Sequence, residues 1–420
     1  MGTVPQVIVV GAGLAGLACG RQLSTYNIAP LILEASDAVG GRVRTDVFDG
    51  YRLDRGFQVL LTGYPEAKRL LNYRTLGLKP FHPGACIQWQ GRIYRFSDPL
   101  RRPLDVPGML LGPIGTVVDK LRILRLTSHA RKRVLCQNVG GPFTSTGETL
   151  SSYGFSDSMI QRFLRPFLSG VFLEKSLTTP SWIFEQVWAA FSHGAIALPH
   201  EGMGAIPRQL ANGLSPGSIR LNAKVAEING TTVTLANGEQ LSGEAVVLAT
   251  DWTAAAALQG AAVPASGRTA VTIYYGAPQP PLSGPWLLLN GESEGPINHL
   301  CVLSEAVPSY APAGRSLVAV SVRAEARRSE QEEPAVRRQL MDWFGSRVGS
   351  WRHLRTDRIA SALPPVDLLR AAFDRPSCEI RPGLYRCGDY LSTGTLDGAL
   401  WSGRSTADAI AERLGAPVSS

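Results

Sequence analysis

The sequence predicts an α/β protein, a doubly wound and mostly parallel sheet with a second, α+β unit inserted into it. Three observations carry this. Val7-Ile8-Val9-Val10 is a continuous apolar run, as a strand buried on both faces requires. Gly11-Ala12-Gly13-Leu14-Ala15-Gly16 follows at once and opens a stretch to Ser24 with Leu14, Leu17, Ala18 and Leu23 at helical spacing. Pro30-Leu31-Ile32-Leu33-Glu34 is a second buried strand, so the start of the chain reads as a βαβ unit.

Later elements follow in order. Residues 80 to 200 hold aromatic residues, prolines and several helical stretches, without the strand–glycine–helix pattern. Leu110 to Leu126 is apolar but carries Lys120, Arg122 and Arg125, with Arg101-Arg102 and Arg131-Lys132-Arg133 on its flanks. A basic amphipathic helix of this kind either packs on its own domain or lies on a membrane surface. Lys224–Ile228 and Thr231–Leu235 are joined by Asn229-Gly230, and Asn237-Gly238 turns the chain again. Asn-Gly suits the positive φ of a hairpin turn, so a meander is predicted here. Ala245–Thr250 is then a buried strand. Thr269–Tyr275, Ile297–Leu303 and Leu317–Val322 imply a second, mostly antiparallel sheet. Glu330–Phe344 is a charged helix, Gly383–Tyr390 a strand and Asp397–Leu414 a helix.

A chain of 420 residues has room for about two to three domains. Its 44% hydrophobic and 18% charged residues exclude extensive disorder, and its 44 Gly and 29 Pro, without a period, exclude a collagen-like chain. The net charge of +8 suits an anionic cofactor or a membrane surface, and no nucleic-acid partner is expected. Cys19, Cys86, Cys136, Cys301, Cys378 and Cys387 are scattered, so neither a disulfide framework nor a metal site is expected. That favours a reducing, cytoplasmic location. No signal peptide and no spanning helix is expected.

The glycine pattern carries chemistry. Gly11 allows the tight turn, Gly13 lets a pyrophosphate approach the backbone, and Gly16 lets helix and strand pack. The helix start offers free N–H groups and a positive dipole end. Glu34, 18 residues beyond Gly16, can accept from a ribose diol. A second glycine pair, Gly40-Gly41, is followed by Arg42, which can pair with a phosphate, and by Arg44. A simple nicotinamide site needs no such second loop.

The run from Leu33 through Glu34, Ala35, Gly40, Gly41, Arg42 and Arg44 to Thr45 resembles the FAD-binding segment of the flavin amine oxidase superfamily. That superfamily includes monoamine and polyamine oxidases, protoporphyrinogen oxidase and the phytoene desaturase group. The resemblance implies a Rossmann-like FAD-binding domain of the GR2 type with an inserted substrate domain. By the same resemblance Val225 contacts adenine, and Gly388-Asp389 and Thr395-Leu396-Asp397-Gly398-Ala399 provide the strand end and helix start that face the flavin. Asp54-Arg55-Gly56-Phe57-Gln58 is similar to the segment near the flavin ring, which makes Gly56 and Phe57 cofactor contacts. Arg55 is the one catalytic candidate there, with an ion pair to Asp54 as its alternative role. His193, His200 and His299 are candidates by residue type only, and Trp182, Phe184, Trp188 and Phe191 read as core or as a pocket wall.

Leu198–Pro207 is similar to the P-x-G-G-M-G stretch of the desaturase branch, with Glu201 in place of the first glycine. The expected FAD-binding domain is 1–75, 200–262 and 370–420, and the substrate domain 76–199 and 263–369. The expected function is FAD-dependent, desaturase- or isomerase-like hydride transfer from a small apolar substrate, polyene-like or tetrapyrrole-like. The alternatives are an amine oxidase releasing peroxide, and a non-catalytic flavin-binding carrier of a lipophilic pigment. The C-terminal cysteine signature of covalent flavin is not evident, so FAD is expected to be non-covalent.

Overall fold

The computed structural model describes residues 7–99, 101–135, 144–262, 267–292, 294–323 and 332–416. Residues 1–6, Cys136 and Glu330, named above, lie outside the described residues. Val7–Val10 is buried at every position and runs parallel to Pro30–Leu33 on one side and Ala245–Leu248 on the other. The sheet has six strands, in the order Ile219–Arg220, Pro30–Leu33, Val7–Val10, Ala245–Leu248, Leu384–Arg386, Glu379–Arg381. All pairs are parallel except the last. Val7, Val9, Ile32 and Val247 face the helices Leu14–Thr25 and Leu396–Arg413. Ile8, Val10, Leu33, Val246 and Leu248 face an antiparallel meander of Val225–Asn229, Thr232–Leu235 and Gln240–Ser242. Both faces are covered, which is why the central strands Val7–Val10 and Ala245–Leu248 are apolar throughout.

The second sheet has seven strands, in the order Arg352–Leu363, Arg268–Ala277, Ser316–Val322, Ile297–Val302, Leu287–Asn290, Gly84–Trp89, Arg92–Ser97. It is antiparallel except between Gly84–Trp89 and Leu287–Asn290. The hairpin 84–97 and the strands Leu287–Asn290 and Arg352–Leu363 were not expected from the sequence. The hairpin turns on Gln90 and Gly91, both at positive φ, without the Asn-Gly signature. Arg352–Leu363 is an edge strand in which charged residues at 352, 355, 357 and 358 mask the pattern. One face of the sheet packs Val271, Ile273, Leu300 and Val320 against the helix Glu332–Phe344.

The predicted single amphipathic helix over 110–126 is corrected. A short helix, Val106–Leu111, ends at Gly112, and a second runs Val117–Leu135. Pro113 has no N–H to continue the first helix, and Asp119 accepts from the Thr116 N–H at 2.7 Å to start the second. The long helix buries Leu126 and Ala130 against the helix Ser181–His193. Phe184 and Trp188 are buried in that same core, Phe191 packs on Phe167 at 5.1 Å, and the Trp188 indole donates to Thr127. Among the described residues no helix is long and apolar enough to cross a membrane.

Candidate functional site

Gly11 stands at φ 109°, a conformation that side chains disfavour, and a Cβ there would lie 2.9 Å from the Ala249 carbonyl. A Cβ on Gly16 would lie 2.0 Å from the Gly11 oxygen. Gly13 is different, because a Cβ there would meet nothing within 4 Å. It is the N-cap of the helix Leu14–Thr25, contributes no capping side chain, and the first turn holds no acid. Leu14 and Ala15 are buried, so only their main chain can address a ligand. The loop thus presents uncapped N–H groups to an open space, the geometry of an anion site.

Glu34 is held beside this loop. Its carboxylate accepts from the Ala12 N–H at 2.8 Å and from the Ser36 N–H and hydroxyl at 2.9 and 2.7 Å. The Ala223 N–H donates to the Glu34 carbonyl, which brings the meander and the buried Val225 to the same end of the sheet. Ala35 is exposed next to it. The second glycine pair sits on the first loop: Gly40 N–H donates to the Ala12 carbonyl at 2.8 Å, and a Cβ on Gly41 would lie 3.5 Å from the Gly13 Cα.

Arg42 joins the distant motifs. One guanidinium nitrogen is 2.6 Å from the Asp389 carboxylate and another donates to the Ala362 carbonyl at 2.8 Å. Gly388 and Asp389 follow the strand Leu384–Arg386, and Asp389 is buried. Arg44 instead turns outward to the exposed Asp37. Gln58 donates to the carbonyls of Arg42 and Arg55, each at 2.9 Å, and so ties the 54–58 segment to the same cluster. Thr395 caps the helix Leu396–Arg413 by accepting from the Gly398 N–H at 3.0 Å. Ala399 is buried behind that cap and Leu396 is half-buried. The Asp397 side chain is engaged elsewhere, accepting from the Ala67 N–H at 2.9 Å, and burial pushes its carboxyl up to about 7.

The expected pairing of Arg55 with Asp54 is corrected. Arg55 reaches Asp46 at 3.3 Å, on the side where Arg355 also binds Asp46. Asp54 is 2% exposed and is claimed by three other donors: the Thr45 hydroxyl, the Met203 N–H and the Tyr310 hydroxyl, at 2.5, 2.9 and 2.9 Å. Tyr274 donates to the Asp54 carbonyl at 2.8 Å, so this one residue bolts the cofactor-side loops to the second sheet. Burial raises its carboxyl to about 6. The network also explains two glycines: a Cβ at Gly202 would strike Thr45 at 2.4 Å, and Gly204 N–H donates to the Thr45 hydroxyl. Glu201, which replaces a glycine of the resembled stretch, is exposed and meets no such constraint.

A narrow cleft of about 90 Å³ lies between the helix Arg165–Phe172 and the second sheet. Phe57 reaches into its lining, and the buried Gly56 precedes it. Thr272 receives the Phe57 N–H at 3.0 Å and also lines the cleft. Arg55 does not line it, nor do Trp182, Phe184, Trp188 and Phe191. Of the three histidines, His193 bonds its own helix at Ala189, His200 is exposed beside Ser309, and His299 is buried in the cleft wall. Residue type alone could nominate His299; no local pattern marks it or Thr272. Among the described residues no cluster of His, Cys, Asp or Glu is arranged for a metal.

This arrangement, an open glycine cradle, a fixed acid, an arginine bridged to a buried aspartate and an adjoining cleft, defines a dinucleotide-dependent enzyme of the flavin type. The chain belongs to the flavin containing amine oxidoreductase family, whose profile matches residues 14–411. The family comprises FAD-dependent oxidoreductases, and FAD is the cofactor. The chain is 24% identical over 220 residues to protoporphyrinogen oxidase 2 of Arabidopsis thaliana, covering 51% of this chain and 42% of that protein. It is 24% identical over 255 residues to polyamine oxidase 2 of the same plant, covering 58% and 50%. The chain thus spans about half or less of the length of these curated relatives. The solved structure of cyclohexylamine oxidase from Brevibacterium oxydans IH-35A superposes with a TM-score of 0.71 at 17% identity, covering 98% of this chain and 100% of that one. That likeness concerns the fold.

Proposed function

We propose that the protein removes hydride from a small, mainly apolar substrate seated beside Phe57, in the manner of the desaturase branch, rather than from an amine. The observation that carries this is the cleft wall: Phe57, Pro166 and Leu173 supply apolar side chains, and Phe57 and His299 are the aromatic rings among its described lining residues. Among the described residues, that lining holds no pair of aromatic side chains to cage a neutral amine. FAD, when bound, supplies the hydride acceptor. The chain's part is to hold it, to position the substrate and to exclude water.

In this reading the cofactor is held by the main chain of Gly11, Ala12, Gly13, Leu14, Ala15 and Gly16, by Glu34 and Ala35, and by Gly40, Gly41 and Arg42. Asp389 with Gly388, Gly56, Phe57, Val225 and the main chain of Thr395, Leu396, Asp397 and Ala399 complete the set. Arg44, paired with the exposed Asp37, contributes least. The discontinuous FAD-binding domain and the substrate domain keep the boundaries given above. Non-covalent FAD is supported by Cys387, which is fully buried with its thiol pushed up by burial, away from the reactive thiolate form.

Anaerobic mixing of the FAD-loaded protein with matched candidates tests the reading. Bleaching of the visible flavin band by a polyene or porphyrinogen, and not by polyamines, is expected. Bleaching by amines with peroxide on admission of air would establish the amine oxidase alternative, and bleaching by none the carrier alternative. Denaturation should release free FAD.

A second proposal concerns location: a cytoplasmic protein lying peripherally on an anionic membrane. Leu104, Val117, Val118 and Leu121 are 94, 55, 52 and 61% exposed. The exposed Arg125 and Lys132 lie on the same helix as Val117, Val118 and Leu121, so one element exposes both apolar and cationic groups. Flotation with anionic vesicles is expected at low salt; no flotation there would refute it.

A further inference from the structure

The cleft wall contains a hydrogen-bond donor built into a β-bulge. Ile297 and Leu300 both pack into the core beneath the second sheet, although regular alternation would put residues three apart on opposite faces. The register against Ser316–Val322 shifts between Ile297 and His299, so Asn298 is an extra residue. The bulge therefore turns two consecutive polar side chains, Asn298 and His299, to the same side, the cleft. Both are buried, at 6 and 5% exposure.

Their hydrogen bonds decide where the imidazole proton sits. The Asn298 side-chain nitrogen is 3.1 Å from the Pro166 carbonyl, which can only accept, so the amide NH₂ points there. The same nitrogen lies 3.0 Å from His299 Nδ1. Nδ1 must then accept, and the proton of the neutral ring belongs to Nε2. Burial holds the imidazole neutral by lowering its titration to about 4. Among the described residues His299 Nε2 has no hydrogen-bond partner, and neither has the Ser169 hydroxyl on the facing helix, which lines the same cleft. A buried donor left without a partner keeps its desolvation penalty uncompensated, and an occupant of the cleft can recover it. The Phe57 ring meets His299 edge-on with centroids 4.9 Å apart, so this donor adjoins the segment that leads to the cofactor.

We infer that His299 Nε2–H, set by Asn298 and assisted by Ser169, anchors a neutral oxygen acceptor, a carbonyl or hydroxyl, on an otherwise apolar substrate. The inference rests on the reading of this cleft as the substrate site. It selects oxygen-bearing compounds over plain hydrocarbons. Asn298 is a positioning residue: it acts by holding the tautomer.

The test uses the FAD-loaded protein and two probes of matched shape, acetophenone and ethylbenzene, titrated against the flavin spectrum. Acetophenone should bind about tenfold more tightly. His299→Phe should bring the two probes within about twofold, while His299→Gln, which keeps a side-chain N–H donor, should retain most of the preference. Nitrogen NMR of the histidine-labelled protein should show His299 with a protonated Nε2 and a bare Nδ1 from pH 5 to 8. An Nδ1–H tautomer, equal affinity for the two probes or binding of neither would overturn the inference. None of these readouts involves turnover, so a failure of the hydride-transfer reading would appear separately, as flavin that no candidate reduces.

Discussion

The two central strands of the six-stranded sheet, Val7–Val10 and Ala245–Leu248, are short, apolar and buried from end to end, whereas the seven-stranded sheet mixes Val271, Ile273 and Leu300 with Thr272, Asn298, His299 and Ser321. The first sheet is covered on both faces, by helices and by the meander, so its two central strands carry no polar side chain. The second is covered on one face by Glu332–Phe344 and leaves part of the other to line a cleft. In the first region recognition is done by main chain at the strand ends. In the second it is done by side chains on the strands themselves. Cofactor binding should therefore be most sensitive to backbone space, and substrate binding to single side-chain donors.

The largest effect is expected from Gly16→Val, because its Cβ must occupy a point 2.0 Å from the Gly11 carbonyl. Backbone cannot yield there cheaply, and a loss above about 3 kcal/mol, read as insoluble or unfolded protein, is expected. Gly13→Ala is the contrasting variant, since its methyl meets nothing within 4 Å in the protein. It should melt within a few degrees of the parent yet bind FAD at least about tenfold more weakly, because the methyl enters the space a pyrophosphate needs. Equal damage by both variants would break the distinction between packing and ligand-approach glycines.

Next comes the bridge. Arg42→Lys cannot reach both Asp389 and the Ala362 carbonyl with a planar fork. A fall in FAD affinity of about 10- to 100-fold, measured by equilibrium release of flavin, is expected, with the substrate cleft unchanged.

Asp54 links the two regions and titrates. Its folded value of about 6 lies above the unfolded value near 4. Its contribution is thus fully present below about pH 4 and is lost as pH rises through 6, with an amplitude of about 3 kcal/mol. Melting temperatures of Asp54→Asn and of the parent, compared from pH 4 to 7, should shift in favour of the variant as pH rises. A pH-independent difference would show that the carboxyl does not titrate in this range.

The smallest effect on the fold is expected from Leu121→Glu combined with Leu124→Glu. Both side chains are exposed, at 61 and 45%, so stability should change by less than about 0.5 kcal/mol per site. Vesicle flotation, by contrast, should be abolished.

The cofactor half was legible because its signals are local. Gly11 to Glu34 contains a strand, a turn, a helix and an acid within one βαβ unit, and each is dictated by a few neighbours in sequence. The antiparallel hairpins marked by Asn-Gly were legible for the same reason. Arg352–Leu363 was not, because an edge strand can carry charge along one side and loses the apolar period. Arg55 misled because adjacency to Asp54 suggested a pair, while Asp54 ends the strand Tyr51–Asp54 inside the Thr45–Tyr310 network and Arg55, beyond it, reaches Asp46.

The sequence by itself determined the dinucleotide fold, the glycine cradle and the family, since these rest on backbone conformations that only certain residues permit in a short stretch. Only the tertiary structure decided that Arg42 closes on Asp389, 347 positions away, and that Asp54 bolts the two regions together. It also decided that a one-residue bulge turns His299 into the cleft. Those features depend on which distant segments meet, and on the loss of water where they do; no local pattern encodes either.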